Sequence, residues 1–499
     1  MRTYDSGERS GAIPPRLGLS LPLALGLLTY LVGLASGGAR LDDPDVMLHI
    51  VTGRWIIAHR AVPHVDFLSY TFAGRPWVAH EWLGEIVTAS CYDLLGWHGL
   101  VAMASLGLGS AVAILARALL GYCRPAAAIV MTCAAWFAVT PHWLARPHIL
   151  ALPLLVLWTA LLVRARQEDR VPSRRAALLM VPWVNLHGTF LVGIGFTGLF
   201  MVEAILLAKG EARRVEAAKQ WSLFAALAIL ASLVTPNGIE AYLLPLRLMD
   251  MKFALSVLLE WKAVNFQTMS TLEIWLLAFL GVVLFRGVAL SLSRVLMTLL
   301  LFAMSLQHAR NTDLLVFMTP LIVAPEAGPQ LAQTRGRQVA ARLTRWLDRL
   351  TLPATARGWA LAGAVLVAGE VAALAVPVAL DDRYAPAKAV EAVLRDGITG
   401  PVLNAYDYGD YLLFAGVKTF IDGRADMYGD AFIKRYYDAT RGRSDDLPAL
   451  LRKYHVAWTI FPRNSPAVVQ LDRMKEWNRL YADDVTVVHV RKREAAGRR

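Results

Sequence analysis

The chain has 499 residues, of which 56% are hydrophobic, and a formal net charge of +12; its mean hydropathy is +0.44. That apolar fraction excludes an ordinary soluble protein of this length and reads as a polytopic α-helical membrane protein. The excess positive charge lies in short Arg-rich clusters between apolar runs, the pattern of cytoplasmic loops rather than of a nucleic-acid surface, so no nucleic-acid partner is expected.

Residues 1–16 carry Arg2, Arg9 and Arg16 and are placed in the cytoplasm. The apolar run 17–36 follows, long enough to cross a bilayer and without a persuasive cleavage site, and is read as an uncleaved first span. It delivers a first extracytoplasmic loop, 37–98, whose stretch 42–82 is dense in Asp, His, Arg, Glu and Trp. Such groups crowded against a bilayer must face water, each other or a ligand. Two short membrane-parallel helices are predicted there, 46–59 and 81–95, separated by the turn-rich piece 63–76.

Further spans are predicted at 100–120, 126–140 and 149–163. The last ends on Arg164, Arg166, Arg170, Arg174 and Arg175, the strongest topological anchor in the chain. The apolar run 176–208 has basic flanks on both sides, which requires two short crossings that turn at Asn185-Leu186-His187-Gly188. Spans at 222–234, 273–285, 294–307, 312–324 and 358–380 complete a set of about eleven in a membrane domain covering 17–380. Lys and Arg alone fix this orientation. The polar motifs, from Asp43 and Asp45 to His308 and Arg310, then all fall on the opposite face, which points to a single extracytoplasmic site. Residues 381–499 change texture and read as an extracytoplasmic α/β domain. Its predicted strands are 402–405, 418–422, 457–461 and 485–491, and its predicted helices 408–414, 429–439, 446–454 and 466–480. The three cysteines lack metal-type spacing, and no structural disulfide is expected.

Several residues carry candidate chemistry, each beside a plain structural alternative. Asp43 and Asp45, one residue apart around Pro44, suit a general base or a Mg2+ or Mn2+ site; the alternative is that Asp45 caps the following helix while Asp43 is solvated. Glu81 is a candidate catalytic acid, base or ligand, or a carboxylate in the field of a helix N-terminus. His49 lies one helical turn from Asp45 and is a candidate phosphate contact, or a structural histidine. Arg54 is another candidate contact, or an interfacial anchor beside Trp55. Arg146 and His148, and likewise His308, Arg310 and Asn311, sit at span ends where arginine suits bidentate capture of phosphate, or snorkels to headgroups. His187 stands at the apex of the broken span and Glu260 in the loop after the seventh. In the tail Tyr406, Asp407, Tyr408, Asp422 and Arg424 follow predicted strands and suit either acceptor contact or docking onto the membrane domain. Neither a P-loop nor an HExxH pattern is present, and no nucleotide cofactor is expected.

This layout resembles the GT-C superfamily of integral-membrane glycosyltransferases. These have an acidic first extracytoplasmic loop with two membrane-parallel helices, roughly eleven to thirteen spans and often a C-terminal soluble domain. The run Tyr406-Asp407-Tyr408-Gly409, followed by Phe420-Ile421-Asp422-Gly423-Arg424, is similar to the WWDYG region of oligosaccharyltransferase catalytic subunits. Ala405 and Tyr406 stand where that motif has its tryptophans, so sequon recognition is not carried over. The chain also resembles a set of bacterial membrane proteins with the pattern D-x-D…H-x-x-x-G-R-W…P-x-x-D…S-Y-T…G-R-P-W…E-W-L, matched from Asp43 to Leu83. The resemblance implies a glycosyltransferase of a bacterial inner membrane with its tail in the periplasm. A polyprenyl-phosphate- or polyprenyl-diphosphate-linked donor would pass its sugar to an extracytoplasmic glycan, lipid or protein. Asp43 or Asp45 would then be base or metal ligand, and Arg146, His148, His308 and Arg310 lipid-phosphate contacts. The alternatives are a transporter of lipid-linked saccharides and a non-catalytic partner in envelope polysaccharide assembly.

Overall fold

The computed structural model describes residues 17–258, 261–333, 347–442 and 446–492. Helix α1 (Leu21–Ser36) begins where the Ser20 hydroxyl accepts a hydrogen bond from the Leu23 amide, with Pro22 in its first turn. Helices α2 (Asp45–His59) and α3 (Trp82–Leu95) form the first loop and pack against one another. They cross closely because residue 53 is glycine: a Cβ there would stand 2.0 Å from the Glu85 carbonyl oxygen. The start of α2 does not follow the alternative in which Asp45 caps the helix: Asp45 is its first residue, Pro44 holds the cap position, and Asp43 accepts a hydrogen bond from the Asp45 amide and is only 4% exposed rather than solvated.

The membrane domain continues with α4 (Trp97–Leu119), which packs along both α1 and α6. After it come α5 (Pro125–Val139), α6 (Pro147–Gln167), α7 (Met180–Leu186), α8 (Phe190–Leu207) and α9 (Glu211–Ser232). Two short helices, α10 (Glu240–Met249) and α11 (Lys252–Val257), fill what the sequence suggested was an irregular loop. Then come α12 (Thr271–Arg286), α13 (Leu292–Gln307), α14 (Thr312–Gln333) and α15 (Ala356–Ala373). A helix stands at each predicted crossing. Seven of the described helices, α1, α4, α5, α6, α8, α14 and α15, are long and apolar enough to span a membrane, so the chain is a multi-pass membrane protein. The predicted break at 185–188 is present: α7 stops at Leu186, His187 is extended, and α8 starts at Phe190. Inside the bundle Arg294, 1% exposed, pairs with Glu203 at 3.2 Å and ties α13 to α8.

The tail holds α16 (Ala387–Arg395), β1 (Val402–Asn404), α17 (Gly409–Phe414), α18 (Ala425–Tyr428), α19 (Asp430–Thr440), α20 (Leu447–Lys453), β2 (Trp458–Pro462), α21 (Pro466–Arg473), β3 (Trp477–Ala482) and β4 (Thr486–Arg491). The sheet order is β1-β2-β4-β3, with β1 parallel to β2 and the other pairs antiparallel. Two expectations are corrected here. The predicted strand 418–422 is not in the sheet. Its backbone is satisfied by the Asn404 side chain, which accepts from the Phe420 amide and donates to the Ile421 carbonyl, and by the first loop, where Tyr70 and Thr71 donate to the Thr419 and Phe420 carbonyls. The predicted helix 466–480 ends at Arg473, because residues from Trp477 onward pair with β4 instead.

The tail is seated on the first loop. Ser69 bridges Thr419, the Tyr70 hydroxyl donates to the Val402 carbonyl, and Phe72 meets Tyr428 and Phe432 edge-on at 5.0 and 4.9 Å. The Asp430 carboxylate accepts from the amides of Phe253 and Ala254, which caps α11 from the tail.

Candidate functional site

Two polar clusters lie at the junction of the first loop, the span ends and the tail. In the first, Arg146 bridges both carboxylates of the Asp-Pro-Asp turn. Its Nε is 2.5 Å from Asp43 Oδ2 and its Nη2 is 2.7 Å from Asp45 Oδ2. Arg146 sits immediately before Pro147, which opens α6, so a span end carries it. Nearby, Arg40 lies 4.5 Å over the Trp143 ring and donates to the Trp143 carbonyl, while the Ala145 amide donates to the Arg40 carbonyl. These contacts pin the Asp43 turn to the loop bearing Arg146. Asp43's side chain is 6% exposed and Asp45's 27%, so Asp45 is the carboxylate open to a substrate.

The tail closes over this triad. Gly423 lies between Asp45 and Asp410: a Cβ at that position would stand 2.8 Å from both Asp45 Oδ1 and Asp410 Oδ2. The Gly423 amide donates to Asp410 at 3.0 Å. Burial, and then the charges of Asp45 and Asp422, push Asp410 well above the usual carboxylate range. The Tyr406 hydroxyl donates to the Gly423 carbonyl. Asp407 is exposed, and Tyr408 is buried against Thr486.

The second cluster centres on Glu81, just before α3. Its carboxylate lies 3.6 Å from His80, 3.5 Å from His187 and 3.8 Å from His49. His49 also faces Glu85 at 3.7 Å, and His148 faces Asp313 at 3.8 Å. Burial opposes the charge on Glu81, but His80, His187, His49 and Arg310 outweigh it and hold the group at about 2. Burial, joined by Arg310, His80 and Arg146 against the pull of Glu81, holds His187 at about 4. Burial works against a charged His49 as well, yet Glu85, Glu81 and Asp45 raise it. The Thr189 amide donates to His187 Nδ1, which leaves Nε2–H facing Glu81. Arg310 is held over the Trp261 ring at 4.2 Å, and Trp261's carbonyl pairs with His308 Nδ1 at 2.7 Å. Asn311 donates to the Met304 carbonyl and shapes the end of α13.

Beside this cluster a cavity of about 630 Å³ opens between α3, α7 and the end of α9, lined by Trp82, Leu83, Val181, Pro182, Asn185 and Val234 among others. Asn185 accepts from the Trp82 indole at 2.6 Å and donates to the carbonyls of Val181 and Val234. The break in the span is therefore satisfied at the cavity wall.

The structure thus brings Asp43, Asp45, Arg146 and Tyr406 to one cluster and His49, Glu81, His148, His187 and Arg310 to the other. Glu81 has His49, His80 and His187 as its neighbours, and His49 senses both Glu81 and Asp45. Arg54 is in neither cluster; it forms an exposed pair with Asp93 and lies over Tyr92. Asp422 and Arg424 form a buried network with Asp66: Arg424 reaches Asp66 and Asp422 at 2.7 Å each and lies over Trp77 at 4.7 Å. They join loop to tail and are closed to an acceptor. Glu260 lies outside the described residues. Sequence reading does not single out Glu85 or Asp313, although Glu85 lies one turn after Glu81 at the start of α3; Asp410 falls in the acidic and aromatic run 404–411, but its approach to Asp45 is purely tertiary.

No family model matches the chain, and no curated protein matches it in sequence. Among solved structures it is similar to ArnT from Cupriavidus metallidurans bound to undecaprenyl phosphate, with a TM-score of 0.52 at 15% identity over 96% of this chain and 99% of that one. It is also similar to the oligosaccharyltransferase of Archaeoglobus fulgidus in its apo form, with a TM-score of 0.55 at 9% identity over 88% of this chain and 69% of that one. The likeness to ArnT runs almost end to end in both chains, and the chain shares the overall fold of these two proteins.

Proposed function

We propose that the protein transfers a sugar from a polyprenyl-phosphate-linked donor to an acceptor hydroxyl on the extracytoplasmic face of a bacterial inner membrane. The observation that carries this reading is the convergence of three features. A partly open carboxylate, Asp45, is oriented by Arg146. A basic cluster of His187, His80 and Arg310 stands within the same polar junction. An apolar cavity between helices begins at the residues next to that cluster, Trp82 and Asn185. An isoprenoid chain suits the cavity, and its phosphate would then reach the basic residues. The ArnT structure is bound to undecaprenyl phosphate, a ligand of this class.

On this reading Asp45 takes the proton of the acceptor hydroxyl, whose oxygen attacks the sugar's C1. The C1–O bond breaks, and its electron pair leaves with the lipid phosphate, which the basic residues stabilise. Asp43 holds Arg146 and the Asp45 amide, and so orients the base. A divalent cation does not fit Asp43 and Asp45 as they stand, because the Arg146 guanidinium already fills the space between them. Among the described residues no three His, Cys, Asp or Glu side chains are grouped to hold a metal ion. No step is therefore routed through Mg2+ or Mn2+.

The test is sugar transfer from the membrane donor pool by Asp43→Asn/Asp45→Asn. A loss of about 10²-fold or more supports the reading; intact transfer overturns it.

A further inference from the structure

Glu81 occupies the middle of a basic nest. Its three histidine neighbours stand at 3.5 to 3.8 Å, all beyond hydrogen-bond range. The nest is therefore wider than the carboxylate inside it. Arg310, anchored on Trp261, adds a permanent positive charge. One carboxylate oxygen of the wall, Glu85 Oε2, has no hydrogen-bond partner although Glu85 is only 4% exposed, while its other oxygen faces His49 Nδ1 at 3.7 Å. An ionised carboxylate carries no proton to donate to that oxygen. A phosphomonoester, with second pKa of about 6, carries acceptor oxygens and, when singly ionised, an O–H as well.

We infer that this nest is the seat of the lipid phosphate released by transfer, and that the Glu81 carboxylate is a built-in competitor for that seat. The inference rests on the transferase reading and adds a role for Glu81 that is neither base nor acid. Burial would neutralise an isolated carboxylate, but the Arg310 charge and the imidazoles around it favour the ionised form of Glu81; His187 acts there as a neutral N–H dipole. The incoming phosphate therefore meets a like charge among the groups that attract it. The consequence is a moderated hold on product. The histidines and Arg310 stabilise the leaving phosphate, and Glu81, returning to them, displaces it into the cavity beside Trp82.

The test measures binding of undecaprenyl phosphate to the full chain in nanodiscs. Glu81→Gln, which removes the charge and keeps the shape, is expected to bind at least tenfold tighter than wild type and to release product more slowly. Glu81→Ala serves as the same probe should the Gln variant fail to fold. His187→Gln and Arg310→Gln are expected to bind at least tenfold more weakly. Unchanged or weaker binding by a folded Glu81→Gln or Glu81→Ala protein overturns the inference and makes Glu81 an anchor for the histidines. Stoichiometric divalent metal in the purified protein, lost in His187→Gln, also overturns it, because Glu81 would then be a ligand. Wild type that binds no lipid phosphate, with Arg310→Gln indistinguishable from it, removes the transferase reading itself. Wild type that binds while the Glu81 variants do not tighten removes this inference alone.

Discussion

Arg146 pairs with Asp43 and Asp45 at once, through two different nitrogens of one planar group. Lysine has a single ammonium and cannot keep both geometries. Arg146→Lys is expected to lower transfer about 10- to 100-fold while the protein remains folded; wild-type turnover in that variant would show that bridging is unimportant. Gly423→Ala places a methyl 2.8 Å from Asp45 Oδ1 and Asp410 Oδ2. It is expected to depress turnover strongly by moving the base, with a smaller effect on donor binding, and a KM-against-kcat comparison reads the difference. His187 supplies a pH test. Its pKa of about 4 lies below the ordinary 6.5, so the unfolded chain binds the extra proton between those values. Its contribution is present above pH 6.5 and is lost as pH falls towards 4, by up to about 3 kcal/mol. Thermal melts between pH 5 and 7.5 should therefore show a shallower pH slope in His187→Gln than in wild type. An identical slope would contradict the buried, neutral imidazole. At this scale the Asp-Pro-Asp turn and Arg146 are legible in the sequence because they sit at span ends, where charge is costly without purpose. The contact of Asp45 with Gly423 is not, because no local pattern encodes an approach between residues so far apart in the chain.

At the scale of elements, the buried network of Asp66, Asp422 and Arg424 is the clearest joint between loop and tail. Arg424 and Asp66 are 358 positions apart in sequence, and their side chains are 3% and 0% exposed. Removing the guanidinium leaves two buried carboxylates facing each other, so Arg424→Met is expected to destabilise the docked tail by about 3–5 kcal/mol. Limited proteolysis should then release the tail at protease levels that leave wild type intact; equal resistance would contradict a docking role. Hydrophobic periodicity and basic flanks place the membrane helices, α2 and α3 close to their actual positions, and they anticipate the break at His187. They fail where tertiary partners replace local ones. Residues 418–422 look like a strand but spend their hydrogen bonds on Asn404 and the first loop. Residues after Met474 look helical but complete the sheet edge next to β4. The helices α10 and α11 escape notice because Pro245 and the short length of α11 weaken the helical pattern, while Asp430 of the tail supplies the cap.

For the whole molecule, the membrane bundle positions two polar clusters of opposite character, and the tail roofs the acidic one. Helix α2 carries a member of each cluster, Asp45 and His49, and on the transferase reading proposed above the two clusters separate the base from the groups that would hold the departing phosphate. The chain shares its fold with structures to which it is only 8–16% identical, so the fold is shared where the sequence has diverged. The most direct test offers the purified protein, in nanodiscs, a panel of polyprenyl-phosphate sugars from its own membranes together with an acceptor extract. Sugar transfer with release of lipid phosphate, abolished in Asp43→Asn/Asp45→Asn, is the result predicted. Binding of the donors with no C1–O cleavage under any acceptor would contradict it.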